Sequence, residues 1–92
     1  MTSEHLTALL AAANATTDAE GWQKPAEGRT LTLHIAHDGA QLNVSRIAAV
    51  RLEKTLLKAK STHGEEYVVA LEDVFVGAVE GLKDVSRKAG FV

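Results

Sequence analysis

Residues 71–89 read LEDVFVGAVEGLKDVSRKA, and the rest of the chain is expected to pack around this stretch. Its apolar residues recur every three or four positions, the spacing of one stripe along an α-helix. They are Leu71, Val74, Phe75, Ala78, Leu82, Val85 and Ala89. Two acids in the first turn and two bases in the last suit the helix macrodipole, and Gly90 is placed to be a C-cap. The pattern predicts a long amphipathic C-terminal helix.

The N-terminal part combines a second helical pattern with a polar loop. Ser3 is a candidate N-cap, and the apolar residues that follow it keep the three-four spacing: Leu6, Leu9, Leu10 and Ala13. Residues 14–28 are rich in turn formers and contain the only proline. Trp22 lies in this segment, where we expect it to plug the edge of the core, with partner recognition as the alternative.

The period changes to two at residue 29. Leu31, Leu33 and Ile35 alternate with polar residues, which indicates a strand with one buried face. Asp38 and Gly39 form a typical two-residue hairpin turn. We expect a β-hairpin whose returning strand directs Leu42 and Val44 inward.

Residues 45–62 are compatible with either a helix or two strands. Good helix formers and a possible Ser45 cap favour the helix, but Ile47 would then fall among basic residues. Alternating patterns around residues 50–53 and 57–60 favour strands. Because residues 67–69 form a β-rich segment that needs a neighbouring strand, we favour two strands.

These segments predict an α+β fold in a single small domain of 92 residues. Its segments are an N-terminal helix and loop (1–28), an antiparallel β-meander (29–70) and a C-terminal amphipathic helix (71–90). We expect about four or five strands in the meander.

Composition narrows the function classes. The absence of cysteine excludes disulfides and thiolate metal sites. A formal net charge of -2 argues against a strongly electrostatic nucleic-acid binder. Neither a bilayer-spanning run nor a secretory leader is recognisable, so we expect a cytoplasmic protein with no membrane partner.

No catalytic or metal-binding constellation is recognisable. His34 and His37 would point to opposite faces of one strand, which argues against a shared metal ion. Ser45, a histidine and Asp73 could form a triad only if the fold brought them together. We therefore predict no enzymatic activity, no cofactor and no metal site.

Two groups of residues are candidates for binding. A basic cluster between residues 46 and 60 contains a single acid, Glu53, and is a candidate nucleic-acid surface: Arg46, Arg51, Lys54, Lys58 and Lys60. The alternative for this cluster is a solvated sheet face or an edge guarded by lysines. A candidate protein interface combines Trp22 and Phe75 with the GxxxG pair Gly77 and Gly81, which admits a closely approaching element.

Residues 38–71 read DGAQLNVSRIAAVRLEKTLLKAKSTHGEEYVVAL and resemble the LytTR DNA-binding domain family. Ile47, Val50, Gly64 and Tyr67 occupy matching places without a gap. The family's final strand, with its F-x-R-x-H-R-S motif, has no counterpart in this sequence. The resemblance implies a strand-rich fold and a nucleic-acid surface.

The sequence therefore supports two functional hypotheses. The first is a non-enzymatic protein–protein interaction or assembly module that forms a homo-oligomer or binds a protein partner. The alternative is a small LytTR-like DNA- or RNA-binding regulator that uses residues 46–60.

Overall fold

The computed structural model describes residues 1–81, and these residues form a mostly β structure that is 54% strand and 16% helical. The predicted α+β fold with a long C-terminal helix is therefore wrong. The elements in chain order are α1 (Ser3–Ala12), β1 (Thr16–Thr17), β2 (Gln23–Lys24), β3 (Thr30–His37), β4 (Ala40–Glu53), β5 (Leu56–Ser61), β6 (Glu66–Ala70), a 3-10 helix (Leu71–Asp73) and β7 (Val74–Glu80). The described residues thus contain five longer strands and two strands of two residues each.

The predicted N-terminal helix is present, with a different cap. The Thr2 hydroxyl accepts a hydrogen bond from the His5 amide at 3.0 Å, so Thr2 rather than Ser3 is the N-cap. Three leucines spaced by three and one residues are buried along one side of α1: Leu6, Leu9 and Leu10. This apolar side joins the helix to the core.

The β3–β4 hairpin is present as predicted. Asp38 and Gly39 have φ of +50° and +84°, the left-handed conformation that a tight hairpin turn requires at both central positions. Leu31, Leu33, Ile35 and Val44 are buried. The prediction for Leu42 is wrong, since it is 52% exposed. Residues 37–43 are all exposed because the hairpin tip extends past the core.

Residues 45–62 form two strands, as favoured over the helix. β4 runs for 14 residues and pairs with β3 through its first part and with β5 through its second part. A β-bulge at Ser45 and Arg46 separates the two parts, because Leu31 pairs with Ile47 while Leu33 pairs with Val44.

The strands form one antiparallel sheet with the central path β6-β5-β4-β3-β7. β2 and β1 extend it beside the second part of β4. β6 and β7 lie at opposite ends of the path but are joined by only three residues, so the sheet must curl. The main core lies between the sheet and α1, and Leu31, Leu33, Ile47, Val50, Leu57 and Val74 are its most deeply buried large side chains.

The stretch predicted to form the C-terminal helix begins as a 3-10 turn and continues as β7. Valine and phenylalanine dominate Val74–Glu80 and favour extended backbone, while Gly77 disfavours a helix. β3 offers a partner over this whole segment, with pairs from Thr30–Glu80 to Ile35–Val74. The remainder of the predicted helix, from Leu82 to its C-cap Gly90, lies outside the described residues. Within residues 1–81, no helix is long and apolar enough to cross a bilayer.

Candidate functional site

An apolar patch lies on the outer face of the sheet, the face turned away from α1. Phe75 is 51% exposed and Val76 is 41% exposed. A bulge at Phe75 places it outside the regular ladder, because His34 pairs with Val76 while Ile35 pairs with Val74. The rings of Phe75 and His34 lie 6.2 Å apart at a tilt of 49°. We call Phe75, Val76, Ala78 and His34 the β7 patch.

The opposite face of β7 is occupied by the core. Val74 is fully buried, and a Cβ on Gly77 would lie 2.5 Å from Leu9 Cδ2 of α1. The close approach expected of the GxxxG pair is thus made at Gly77 by the helix of the same chain. At Gly81 the Gly28 carbonyl oxygen occupies the space that a Cβ would need. Packing within this one chain therefore explains why both positions are glycine.

The composition of β7 differs from that of the other exposed sheet surfaces. Six consecutive residues, 74–79, carry no charge. On the outer face of β5 and β6, exposed Leu56 and Val68 alternate along their strands with the charged residues Lys58 and Glu66. Proteins commonly protect sheet surfaces and edges from association with such charges. Residues 74–79 of β7 carry no such charge, and the nearest one on the outer face is Glu80 at the end of the strand. Among residues 1–81, β7 pairs with β3 alone.

The five basic residues of the candidate nucleic-acid surface occupy three separate places. Arg51, Lys58 and Lys60 lie on the outer face of β4 and β5, as their pairing register requires. Glu53 lies 2.7 Å from Arg51 and 3.3 Å from Lys58, so one carboxylate partly neutralises both cations. Arg46 is in the β4 bulge, and Lys54 is in the β4–β5 turn.

Trp22 is covered by two of these cations. It is 6% exposed, with Lys60 Nζ 4.2 Å and the Arg51 guanidinium carbon 5.9 Å from the ring centroid. The ring does not belong to the main core cluster. Gln23 pairs with Val50, whose side chain is buried in the core. Because neighbouring side chains point to opposite faces, the side chain of Trp22 lies on the outer face of β4. Trp22 therefore fixes the 14–28 loop to the outside of the sheet, and its ring is not available to stack on a nucleic-acid base.

Asp18 holds the turn that presents Trp22. Its Oδ1 accepts hydrogen bonds from the amides of Glu20 at 2.9 Å and Trp22 at 3.0 Å. Its Oδ2 lies 3.5 Å from Lys24 Nζ. Burial raises the pKa of Asp18, but the amides of Trp22 and Glu20 together with Lys24 outweigh it, so the pKa lies below the ordinary value of 3.8. The turn prefers the ionised carboxylate.

This preference predicts an acid-dependent loss of stability. Since folding lowers the pKa of Asp18, its contribution is complete above about pH 4, the unfolded value, and is lost as the pH falls through the folded pKa. The urea concentration at the unfolding midpoint should fall as the pH drops below about 4, and replacing Asp18 with asparagine should make this fall less steep. Urea unfolding at a series of pH values measures this. An unchanged acid limb in the variant would contradict the assignment.

His34 and His37 make separate polar contacts within residues 1–81. His34 Nδ1 lies 2.8 Å from Asn43 Oδ1, whereas His37 lies 3.2 Å from Asp73 and 3.3 Å from Asp38. No group of three or more candidate metal ligands converges in this part of the chain. His37 and Asp73 do meet, but Ser45 lines a cavity that neither of them lines.

Sequence reasoning named Phe75 but missed Val76 and His34 as its neighbours. The available signal was the uncharged run from Val74 to Val79, which suits a strand that is apolar on both faces.

Comparison with protein-family models, curated proteins and solved structures found no match to this chain.

Proposed function

We propose that the chain is a non-enzymatic interaction module that self-associates through the β7 patch. The supporting observation is the half-exposed pair Phe75 and Val76 within the uncharged residues 74–79 of β7. Burying apolar side chains of this size contributes about 1.5–3 kcal/mol each when burial is complete. Aromatic residues of this kind often act as the central anchors of protein interfaces.

A second copy of the chain suits the chemistry of this patch. The patch contains no carboxylate, guanidinium or ammonium group, so two copies related by a two-fold axis can face each other without opposing fixed charges. Polar residues surround the patch on the same face, among them Asn43 and Glu80. An apolar centre with a polar rim is the usual organisation of a protein interface.

The test is sedimentation velocity on the wild type and on Phe75→Glu over a wide concentration range. The wild type should associate, and the variant should sediment as a single 9.8 kDa chain, because association would bury an unpaired carboxylate. Val68→Glu is the matched control, since Val68 is 55% exposed on another part of the sheet. It should associate like the wild type. A single-chain wild type, or equal association of wild type and Phe75→Glu, would contradict the proposal.

Nucleic-acid binding is the second candidate function. It is supported by the shared outer face of Arg51, Lys58 and Lys60 and by the LytTR resemblance, but Glu53 offsets part of this charge. Sedimentation of the same samples with mixed oligonucleotides at low and high salt distinguishes nucleic-acid binding from self-association, because phosphate contacts weaken strongly with salt.

A cytoplasmic location stays a prediction.

A further inference from the structure

An open polar cavity of about 480 Å³ lies where β3, β4 and β7 come together beside the β4 bulge. Four of its lining residues are solvent-exposed. Its lining residues are Thr30, Ser45, Arg46, Thr62, Glu80 and Gly81. This volume lies within the range of about 300–1,000 Å³ that small-molecule sites occupy. The cavity is thus large enough for a metabolite-sized ligand.

Arg46 lines this cavity and has a left-handed backbone conformation. Its φ is +56°, a left-handed value that costs a non-glycine residue about 1–2 kcal/mol. The Arg46 carbonyl oxygen accepts a hydrogen bond from the Thr62 amide at 2.9 Å, which ties the bulge to the residue after β5. Bulges redirect side chains and are frequent beside binding sites. A glycine would adopt this backbone conformation without that cost.

The cavity presents two opposite charges that do not pair with each other. Arg46 and Glu80 both line it, yet within residues 1–81 neither forms an ion pair at 4.0 Å or less. Thr30, Ser45 and Thr62 add hydroxyl groups that both donate and accept hydrogen bonds. Thr32 follows Thr30 on the same face of β3, and its buried hydroxyl has no hydrogen-bond partner in the described part of the chain.

We propose that this cavity binds a small zwitterion that carries a carboxylate and an ammonium group, the charge pattern of a free amino acid. The planar guanidinium of Arg46 matches a carboxylate through two parallel hydrogen bonds. Glu80 accepts hydrogen bonds from the ammonium group, and the hydroxyls satisfy the remaining donors and acceptors. Glu80 would repel a dianion such as phosphate, so a zwitterion suits the site better than an anion.

Amide NMR titration with L-glutamine tests the proposal, with acetate, methylammonium and inorganic phosphate as partial ligands. Glutamine should shift the cross-peaks of Thr30, Ser45 and Thr62 in a saturable way. Each partial ligand should bind at least about tenfold more weakly, because it lacks one charge or is opposed by Glu80. The titration is repeated on Phe75→Glu, the variant designed to prevent self-association. Because Phe75 does not line the cavity, this variant should bind glutamine like the wild type.

Arg46→Gly removes the guanidinium without straining the fold. Because glycine accepts φ of +56°, the variant should keep or raise the urea midpoint while binding glutamine at least about tenfold more weakly. Lys54→Gly is the matched control, since Lys54 is also basic, has φ of +58° and does not line this cavity. It should bind glutamine like the wild type.

Three results would overturn the proposal. One is the absence of saturable shifts with glutamine in the wild type. The second is equal affinity of Arg46→Gly and Lys54→Gly for glutamine. The third is acetate or phosphate binding as tightly as glutamine, which would indicate a site for anions alone.

Discussion

Replacing Trp22 with alanine is expected to lower the free energy of unfolding by about 3–5 kcal/mol, the range for buried aromatic residues. The side chain is 6% exposed, so nearly all its contacts would be lost. The substitution also removes the ring beneath Lys60 and Arg51, and each cation–π contact is worth about 0.5–2 kcal/mol. For a domain of this size such a loss approaches the whole stability. Urea unfolding followed by far-ultraviolet circular dichroism measures the change.

Trp22→Phe is the control for this prediction. Phenylalanine keeps an aromatic face beneath Lys60 but fills less volume, so the loss should be clearly smaller than for alanine. A loss below about 1 kcal/mol for Trp22→Ala would contradict the anchoring role, because surface substitutions typically change stability by that little.

Replacing Gly81 with alanine is the second large expected effect, with a loss of about 2–5 kcal/mol. Gly81 has φ of +94°, which strains any residue with a Cβ. The new Cβ would also clash with the Gly28 carbonyl oxygen and lie 3.3 Å from Arg29 Cα, and backbone atoms cannot move aside like a side-chain end. Either the Gly28 turn or the end of β7 must shift. Thermal and urea unfolding both report this loss.

Gly39→Ala separates backbone strain from the steric clash. Gly39 has a similar φ of +84°, but a Cβ there would meet nothing within 4 Å. This control should therefore lose only the conformational part, about 1–2 kcal/mol. Equal losses for the two substitutions would show that the close approach of Gly28 to Gly81 does not exist in solution.

The parts of the fold that could be predicted from the sequence have local signals. Alternation at Leu31, Leu33 and Ile35 followed by Asp38-Gly39 defines a hairpin almost independently of the rest of the chain. Residues 45–62 required a longer-range argument, namely that the strand around Tyr67–Val69 needs a neighbour. The structure confirms that argument, because β5 pairs with both β4 and β6.

The error at β7 has a physical cause. Its inner face is buried by the core, while its outer face carries the exposed Phe75 and Val76, so the strand is apolar on both sides and shows no period of two. The bulge at Phe75 further disturbs the alternation. Leu71, Val74, Phe75 and Ala78 then match a helical spacing by coincidence. Tertiary pairing with β3 decides the conformation.

Proximity in the sequence could not show which residues share a surface. Arg46, Arg51 and Lys54 are close in the sequence, but the bulge and the β4–β5 turn direct them to different places. Conversely, His34 lies beside Phe75 through pairing of strands that are distant in the sequence. Such neighbours become visible only when the register of β3 and β7 is known.

Self-association through the β7 patch is tested most directly by intermolecular nuclear Overhauser effects in a mixture of isotope-labelled and unlabelled chains. We expect contacts between the Phe75 ring of one copy and the Val76 methyl groups of the other, because both side chains lie at the centre of the proposed interface. Intermolecular contacts confined to Leu56 and Val68 would contradict the proposal. So would the absence of any intermolecular contact at a chain concentration of about 1 mM, where even an association with a Kd of about 1 mM is populated.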